Sequence, residues 1–207
     1  MVTESSHRPP TPTEIEAMLA ATRAGRPATV GHAQEDPWSS TWQWVVAAAA
    51  VLALAWLTFH GHGWIPVLSG FDLGVHEFGH LAFGWAPTLW VQLAGSFMQI
   101  ALPAAVCTYF ALRRDRFAVI VTLAWVAENV NNVSVYIADA TRMVLPLFND
   151  DGSGVGHDWH SILSRLGWLG ATDQLAHLVR GLSVALFLAA LGLAAWWFVR
   201  ARRASAA

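Results

Sequence analysis

Hydrophobic and polar positions follow one another along this chain in long blocks. After a polar segment at residues 1–40, apolar blocks occupy residues 42–59, 66–86, 88–112, 117–140 and 174–199. Each block is close to the ~20 residues that an α-helix needs to cross the hydrocarbon core of a bilayer. The pattern predicts an all-α integral membrane protein with a bundle of about five transmembrane helices. The start of the third block, Leu89 to Leu93, is a candidate for an extended, re-entrant segment.

The segment 1–40 has a different character from the rest of the chain. Its polar sequence is interrupted by Pro9, Pro10, Pro12, Pro27 and Pro37. The run Thr11-Pro12-Thr13-Glu14 is typical of a capping box with proline at the first helical position. We therefore predict two domains: a mobile, polar N-terminal tail at 1–40 with one short helix, and a membrane-embedded domain at 41–207.

Composition narrows the class of protein. The chain is 55% hydrophobic and 13% charged, and its 12 tryptophans suit the aromatic belts found at membrane interfaces. A formal net charge of −2 argues against a nucleic-acid partner, which requires a basic face. Because Cys107 is the one cysteine, the chain forms no internal disulfide and no cysteine metal cluster.

Two basic clusters predict the orientation of the chain in a membrane. Arg113, Arg114 and Arg116 follow the third block, and Arg200, Arg202 and Arg203 follow the last one. Two spans separate the clusters, so both fall on one side, which the positive-inside rule makes cytoplasmic. We expect a plasma membrane of the bacterial type and a cytoplasmic C-terminus. Counting back through three full spans places the N-terminal tail, with its own arginines, outside, and a re-entrant segment near Trp90 would remove this conflict.

The second block contains the motif His76-Glu77-Phe78-Gly79-His80. Residues four apart on a helix project from one face, so His76 and His80 are candidate ligands of one metal ion. Glu77 is the candidate catalytic base that takes a proton from a metal-activated water. Ionisable residues are costly at membrane depth, so a cluster of them in an apolar block indicates a site.

The fourth block carries a polar stripe. Asn129, Asn132, Tyr136 and Asp139 recur at three, four and three residues, which places them on one helix face. Polar side chains in a span face the bundle interior or a water-filled cavity, and amides also join helices by hydrogen bonds. Asn129, Asn132 and Asp139 are therefore candidate cavity-lining or substrate-binding residues.

A third metal ligand is needed, because a catalytic zinc ion ordinarily has three protein ligands and one open position. The densest set of candidates outside the second block is His157, Asp158 and His160. We predict Asp158 as the ligand, with His157 as an alternative, because this cluster offers a ligand and a supporting partner together.

Three segments together resemble the site-2 protease family of intramembrane zinc metalloproteases. The motif HEFGH in a span is similar to the first motif of that family, and Leu93-Ala94-Gly95-Ser96-Phe97-Met98-Gln99 is similar to its LAGPxxN segment. Pro146 followed by Asp151-Gly152 resembles its second signature. Ser96 and Gln99 replace the proline and the asparagine of the family, and Met143 stands where its second asparagine is expected.

The resemblance implies two histidines and one aspartate on Zn²⁺, a glutamate as general base, and cleavage of peptide bonds within or near the membrane. Alignment of the second signature makes Asp151 a further alternative for the third ligand. The expected function is that of a zinc-dependent intramembrane peptidase, with membrane lipid and a membrane-protein substrate as partners.

Two other functions compete with this one. The first is a non-catalytic membrane relative that binds partner proteins, although the retained Glu77 favours an enzyme. The second is a membrane di-iron oxidase or desaturase, which needs more carboxylate and histidine ligands around two irons. The histidines available for such a centre are His60, His62, His76, His80, His157, His160 and His177.

Overall fold

A computed structural model describes residues 11–13, 16, 41–60, 64–145 and 156–205. The chain divides into two compact units, residues 1–39 and residues 40–207. In the first unit Pro12 and Thr13 are helical and follow Thr11 directly, where the capping pattern predicts a helix start, and Glu16 is helical as well. The rest of the predicted tail helix lies outside the described residues.

The second unit is built from helices, and its described residues include no strand. In chain order the elements are α1 (Trp42–His60), α2 (Leu68–Ala82), α3 (Thr88–Leu112), α4 (Arg116–Asp139), α5 (Asp158–Leu166), a 3-10 helix (Leu169–Ala171) and α6 (Thr172–Ser205). The all-α prediction is confirmed.

Within the part of the chain that the structure describes, four stretches are long and apolar enough to cross a membrane: Trp42–His60, Thr88–Leu112, Arg116–Asp139 and Leu169–Ser205. The predicted second span is not among them. Helix α2 has 15 residues, about 22 Å at ~1.5 Å per residue, against ~30 Å of hydrocarbon. The apolar block continues beyond Ala82, but the backbone turns away from the helix axis at residues 83–86.

The start of the third block also differs from the prediction. Leu89 to Leu93 belongs to α3, which runs as one helix from Thr88 to Leu112 and accommodates Pro103 in its interior. The extended, re-entrant segment that the sequence suggested is therefore helical, and it forms the first turns of a span.

Helix α4 is central and packs against α1, α3 and α6. The core around it contains many small side chains, among them Ala47, Ala124, Ala127, Ala190 and Ala194. Small residues let helix backbones approach closely in a bundle. The Ser183 hydroxyl on α6 accordingly reaches the Ala127 carbonyl on α4 and donates to it at 2.6 Å.

One end of the bundle collects the arginines of both clusters. Trp44 stacks on Trp197 with 6.0 Å between ring centroids, and the Arg116 guanidinium lies 3.7 Å from the Trp197 ring centroid. The start of α1, the start of α4 and the end of α6 therefore meet there. We call this the basic end, defined by Arg113, Arg114, Arg116, Arg200, Arg202 and Arg203.

Helices α1 and α2 both run away from the basic end. Phe59, at the far end of α1, contacts Phe187, well before Trp197 along α6. On α2, Asp72 contacts Trp125 of α4, and His76 contacts Tyr136, further from the basic end. The two helices are therefore parallel to each other, whereas strictly alternating spans would be antiparallel.

Candidate metal centre

The motif of the second block lies on α2 with the geometry that its spacing predicts. His76 is buried and His80 is partly buried, and their ring centroids are 4.9 Å apart. Asp158, at the first turn of α5, lies against both. Its Oδ2 atom is 3.3 Å from His76 Nε2 and 3.2 Å from His80 Nε2. One potential ligand atom from each of the three residues lies within 4.8 Å of the others.

The far sides of the two imidazole rings are fixed by hydrogen bonds to α3. His76 Nδ1 lies 3.1 Å from Gln99 Oε1, and His80 Nδ1 lies 2.8 Å from the Val91 carbonyl oxygen. Because both partners are acceptors, each Nδ1 carries the proton and donates. Each Nε2 then keeps a lone pair for a metal ion, with the carbonyl or amide oxygen orienting the ring.

Gly95 on α3 makes room for the histidine tips. A β-carbon at this position would lie 2.5 Å from His76 Nε2 and 2.6 Å from His80 Nε2. Any side chain here would displace the two ligand atoms, so glycine lets the α3 backbone form one wall of the site. In the sequence, Gly95 stands out only as part of a segment that resembles a family motif. Nothing in the sequence indicates that the two histidine side chains need the space that a side chain at this position would fill.

Asp158 is held in place by Tyr136 of α4. The Tyr136 hydroxyl donates to Asp158 Oδ2 at 3.3 Å and accepts from the Asp158 backbone N–H at 3.1 Å. Burial alone raises the pKa of the Asp158 carboxyl, but the neighbouring His76 and His80 imidazoles outweigh burial and bring the pKa below its ordinary value. Asp158 is therefore charged, as a metal ligand must be.

His157, the alternative ligand, has its ring nitrogens directed elsewhere. It is buried at the N-cap of α5, where Nδ1 accepts from the His160 backbone N–H at 3.2 Å. Its Nε2 lies 3.4 Å from Asp139 Oδ2, and burial lowers the pKa of the imidazole. His157 thus supports the turn that carries Asp158 and stands outside the group formed with His76 and His80.

Glu77 projects from α2 beside the three-residue group and is partly buried. Its carboxylate is near enough to interact electrostatically with His80 and with the Tyr136 hydroxyl. Glu77 is therefore the candidate general base of this site.

The polar stripe of α4 faces α2 and α5, and its members have specific partners. Asn129 is buried and donates to the Trp125 carbonyl at 3.1 Å, and Asn132 donates to Glu128 Oε1 at 2.6 Å. Asp139 is buried and accepts from the backbone N–H groups of Val144 and Leu145 at 3.1 and 3.0 Å. Asp139 therefore caps the segment after α4. Of the three candidate cavity-lining residues, only Asn132 is partly exposed.

The remaining candidate ligands are separate from this centre or lie outside the described residues. Asp151 and His62 lie outside the described residues, as do the motif residues Pro146 and Gly152. His60 contacts the Trp56 carbonyl at the end of α1, and His160 Nδ1 contacts the Ala140 carbonyl at 2.7 Å. Over the part of the chain that the structure describes, His76, His80 and Asp158 are the one group of three that could hold a metal ion.

Comparisons with protein-family models, with curated proteins and with solved structures find no match for this chain. The function is therefore inferred from the chemistry and geometry of this site.

Proposed function

We propose that this protein is a zinc-dependent intramembrane peptidase, which hydrolyses peptide bonds of membrane-associated substrates with an activated water. The observation that carries the proposal is the meeting of His76 and His80 with Asp158, a residue 78 positions further along the chain than His80. A chance HExxH on a helix gives no reason for a partly buried carboxylate to lie against both Nε2 atoms.

The distances fit a tetrahedral ion. Ligand atoms about 2.0–2.1 Å from zinc lie about 3.3 Å from one another, and the two separations from Asp158 Oδ2 are 3.2 and 3.3 Å. The donor set of two imidazoles and one carboxylate is of the type used by catalytic zinc sites, which leave one position open. His76, His80 and Asp158 are thus the residues that would hold Zn²⁺.

A bound Zn²⁺ ion would supply a Lewis acid for a water molecule and for a peptide carbonyl. The Glu77 carboxylate accepts a proton from the attacking water and returns it to the leaving amide nitrogen. The Nδ1 bonds to Gln99 and Val91 keep both imidazoles oriented while charge builds up at the reacting centre. The Tyr136 hydroxyl holds the Asp158 carboxylate in position against the two imidazoles.

The proposed location is a plasma membrane of the bacterial type, with lipid around the bundle and a membrane protein as substrate. Four helical stretches have the length and apolar character for crossing. Exposed large side chains such as Trp56, Trp85, Leu81 and Leu188 suit contact with lipid. The arginines of the basic end support a cytoplasmic location for that end of the bundle, and a cytoplasmic C-terminus is part of the proposal.

The competing functions are less well supported by the contacts. A di-iron centre needs a second set of ligands, and the described residues offer a single group of three. A partner-binding relative needs no base, whereas Glu77 stands next to both metal-facing histidines.

Replacing Glu77 by Gln tests the peptidase. We expect Glu77→Gln to retain its metal and to lose hydrolysis by about 10²- to 10⁴-fold, because an amide accepts no proton. The measurement combines zinc content with cleavage of a pool of fluorescently tagged single-span polypeptides in proteoliposomes. Glu16→Gln, a change at an exposed residue of the first unit, is the control and should cleave like the wild type.

Wild-type cleavage rates in Glu77→Gln would remove Glu77 from the mechanism. A zinc-loaded wild type that cleaves nothing in the pool would favour the partner-binding relative instead.

A further inference from the structure

Helix α6 indicates how deep the candidate metal centre lies in the membrane. Its residues 181–199 carry no charge and are bounded by Arg180 and Arg200. This length of α-helix spans about 28 Å at ~1.5 Å per residue, close to the ~30 Å of hydrocarbon in a bilayer. The turns before it carry Asp173, His177 and Arg180, all of them exposed, and charged side chains are costly within hydrocarbon. The hydrocarbon layer therefore ends near Arg180.

The metal centre is level with the part of α6 that lies beyond this limit. On α4, Val133 and Ile137 form one buried cluster with Ala176 of α6. Ala176 is four positions further from the basic end than Arg180, or about 6 Å. Tyr136, next to Ile137, contacts two of the three candidate ligands. The ligands therefore lie in the boundary layer between hydrocarbon and water.

The length of α4 leads to the same depth. Arg116, at the start of α4, lies over the Trp197 ring at the basic end. Tyr136 is 20 positions further along this helix, which is about 30 Å at ~1.5 Å per residue. This length is close to the hydrocarbon thickness of a bilayer. Two helices thus agree that the centre lies near the membrane face opposite the basic end.

Exposed tryptophans surround the centre at this level. Trp85 precedes α3, and Trp90 in its first turn is next to Val91, whose carbonyl oxygen contacts His80. Trp168 follows α5, the helix whose first turn carries the third candidate ligand. Tryptophan is enriched at the level of the lipid headgroups. The three indole rings are therefore an independent sign of the boundary layer.

The site opens toward this face and is closed toward the basic end. Asp72, one turn nearer the basic end than His76, is buried, and its carboxyl is hydrogen-bonded to Trp125 and to the carboxyl of Glu128. Further along α2, the side chain of His76 is 8% exposed and that of His80 is 21% exposed. Water and a peptide chain therefore reach the centre from the face opposite the basic end.

We propose that the metal centre acts in the boundary layer opposite the basic end, on a membrane-anchored polypeptide cleaved just outside its apolar span. A backbone within hydrocarbon keeps its N–H and C=O groups paired in a helix, whereas a backbone in the boundary layer can extend and bind water. A chain anchored in the same bilayer carries its flanking segment at this depth. The substrate assignment rests on the peptidase proposed above, and the depth of the centre does not.

Nitroxide labels on α6 test the depth without relying on hydrolysis. The exposed residues Leu178, Leu188 and Val199 are changed singly to cysteine in a Cys107→Ser background of the zinc-loaded full chain in proteoliposomes. Power-saturation EPR compares collisions with oxygen, which concentrates in hydrocarbon, and with a water-soluble nickel chelate. We expect the ratio of oxygen to nickel collisions to be severalfold higher at Leu188→Cys than at Leu178→Cys, which is level with the centre. Val199→Cys, at the basic end, is the control and should resemble Leu178→Cys.

A label at Leu178→Cys as deep as that at Leu188→Cys would overturn the proposal, because the centre would then lie within the hydrocarbon. His177→Cys, exposed at the same level, takes the place of Leu178→Cys if that variant does not fold. The same ratio is expected there, and a deep label there overturns the proposal equally.

Mapping the cleaved bond tests the substrate class. A polypeptide with one apolar span of about 20 residues and two flexible flanks is reconstituted with the wild type, and mass spectrometry identifies the product ends. We expect cuts in the flanks next to the span and none in its middle. A soluble peptide with the flank sequence alone should be cleaved roughly 10²-fold more slowly, because anchoring raises the effective concentration.

Cuts in the middle of the span, or equal rates with the soluble peptide, would overturn the substrate assignment. Absence of any cleavage beside a shallow label at Leu178→Cys would overturn the peptidase and its substrate but confirm the depth. A deep label in a protein that cleaves would overturn the depth and leave the peptidase standing.

Discussion

Tyr136 is the side chain that connects most parts of the candidate metal centre. Its ring lies 5.7 Å from the His76 ring and 4.5 Å from the His157 ring, between centroids. Its hydroxyl bonds both the carboxylate and the backbone N–H of Asp158. One residue of α4 thus aligns the histidine helix with the turn that carries the third ligand.

Removing this hydroxyl should weaken metal binding without unfolding the protein. We expect Tyr136→Phe to lower zinc affinity by about 10- to 100-fold, the usual effect of losing a partner that orients a ligand. Competition with a chelator of known affinity measures the change. Tyr109, exposed near the end of α3, is the chain's other tyrosine, so Tyr109→Phe is a matched control that should bind zinc normally. Equal affinities in the two variants would contradict the role given to Tyr136.

Local spacing allowed some site residues to be predicted, and distance along the chain hid the others. His76 and His80 meet because four residues make about one helical turn, which needs no knowledge of the fold. Asp158 was favoured by the density of ligands around it, and the structure brings it to the histidines. Two features depend on how separate helices pack against each other: the close approach of Gly95 to the two histidines, and the pairing of Asp72 with Glu128. Residue spacing within one helix cannot reveal either of them.

At the scale of elements, the site depends on close packing between α2 and α3. Gly79 faces Ala94 across this interface, and a β-carbon on Gly79 would overlap the Ala94 backbone. The same close approach brings Gln99 and the Val91 carbonyl within reach of the two histidines. Gly74, one turn earlier on α2, has open space where a β-carbon would go.

Alanine substitutions at these two glycines should therefore have opposite effects. Gly79→Ala should destabilise the protein by about 1–3 kcal/mol, because the added methyl overpacks the interface. Gly74→Ala should leave stability unchanged or raise it by up to about 1 kcal/mol, because alanine favours the helix. Denaturant titration in detergent measures both. A Gly79→Ala protein as stable as Gly74→Ala would show that the helices are not in close contact.

The apolar blocks predicted where helices form, because each block is long enough to form a helix whatever segments are next to it. They did not predict where each helix ends or in which direction it runs. The second block contains no residue that forbids a helix through 83–86, yet α2 ends at Ala82, where the chain turns into α3. The parallel course of α1 and α2 is likewise set by packing, of α1 against α4 and α6 and of α2 against α3. The wrong assumption was that the second block is a full span, because the four candidate spans still alternate in direction.

At the scale of the whole molecule, this parallel course changes the expected topology. Helices α1 and α2 lead away from the basic end, α3 returns to it, α4 leaves it and α6 returns again. The start of α1 and the end of α6 are therefore on one side. This removes the conflict with the positive-inside rule that arose from counting the second block as a full span. Six arginines mark the basic end, and among the described residues Arg142, Arg165 and Arg180 are exposed elsewhere.

Cysteine labelling tests this topology in a Cys107→Ser background. We expect cysteines introduced at Thr41 and Arg114 to react with an impermeant reagent from the cytoplasmic side. A cysteine at Gly170, after α5, should react from the opposite side. Labelling of Thr41 from the same side as Gly170 would mean an odd number of crossings between Thr41 and Arg114, and the parallel course of α1 and α2 would be wrong.

The central claim is that His76, His80 and Asp158 together hold a zinc ion, and metal analysis of purified protein tests it most directly. The account predicts about one zinc per chain in the wild type and loss of most of it in Asp158→Ala, as in His76→Ala. Asp173→Ala, an exposed aspartate in the first turn of α6, and Asp151→Ala should retain it. Zinc at the wild-type level in Asp158→Ala, with loss of zinc in Asp151→Ala, would contradict the account.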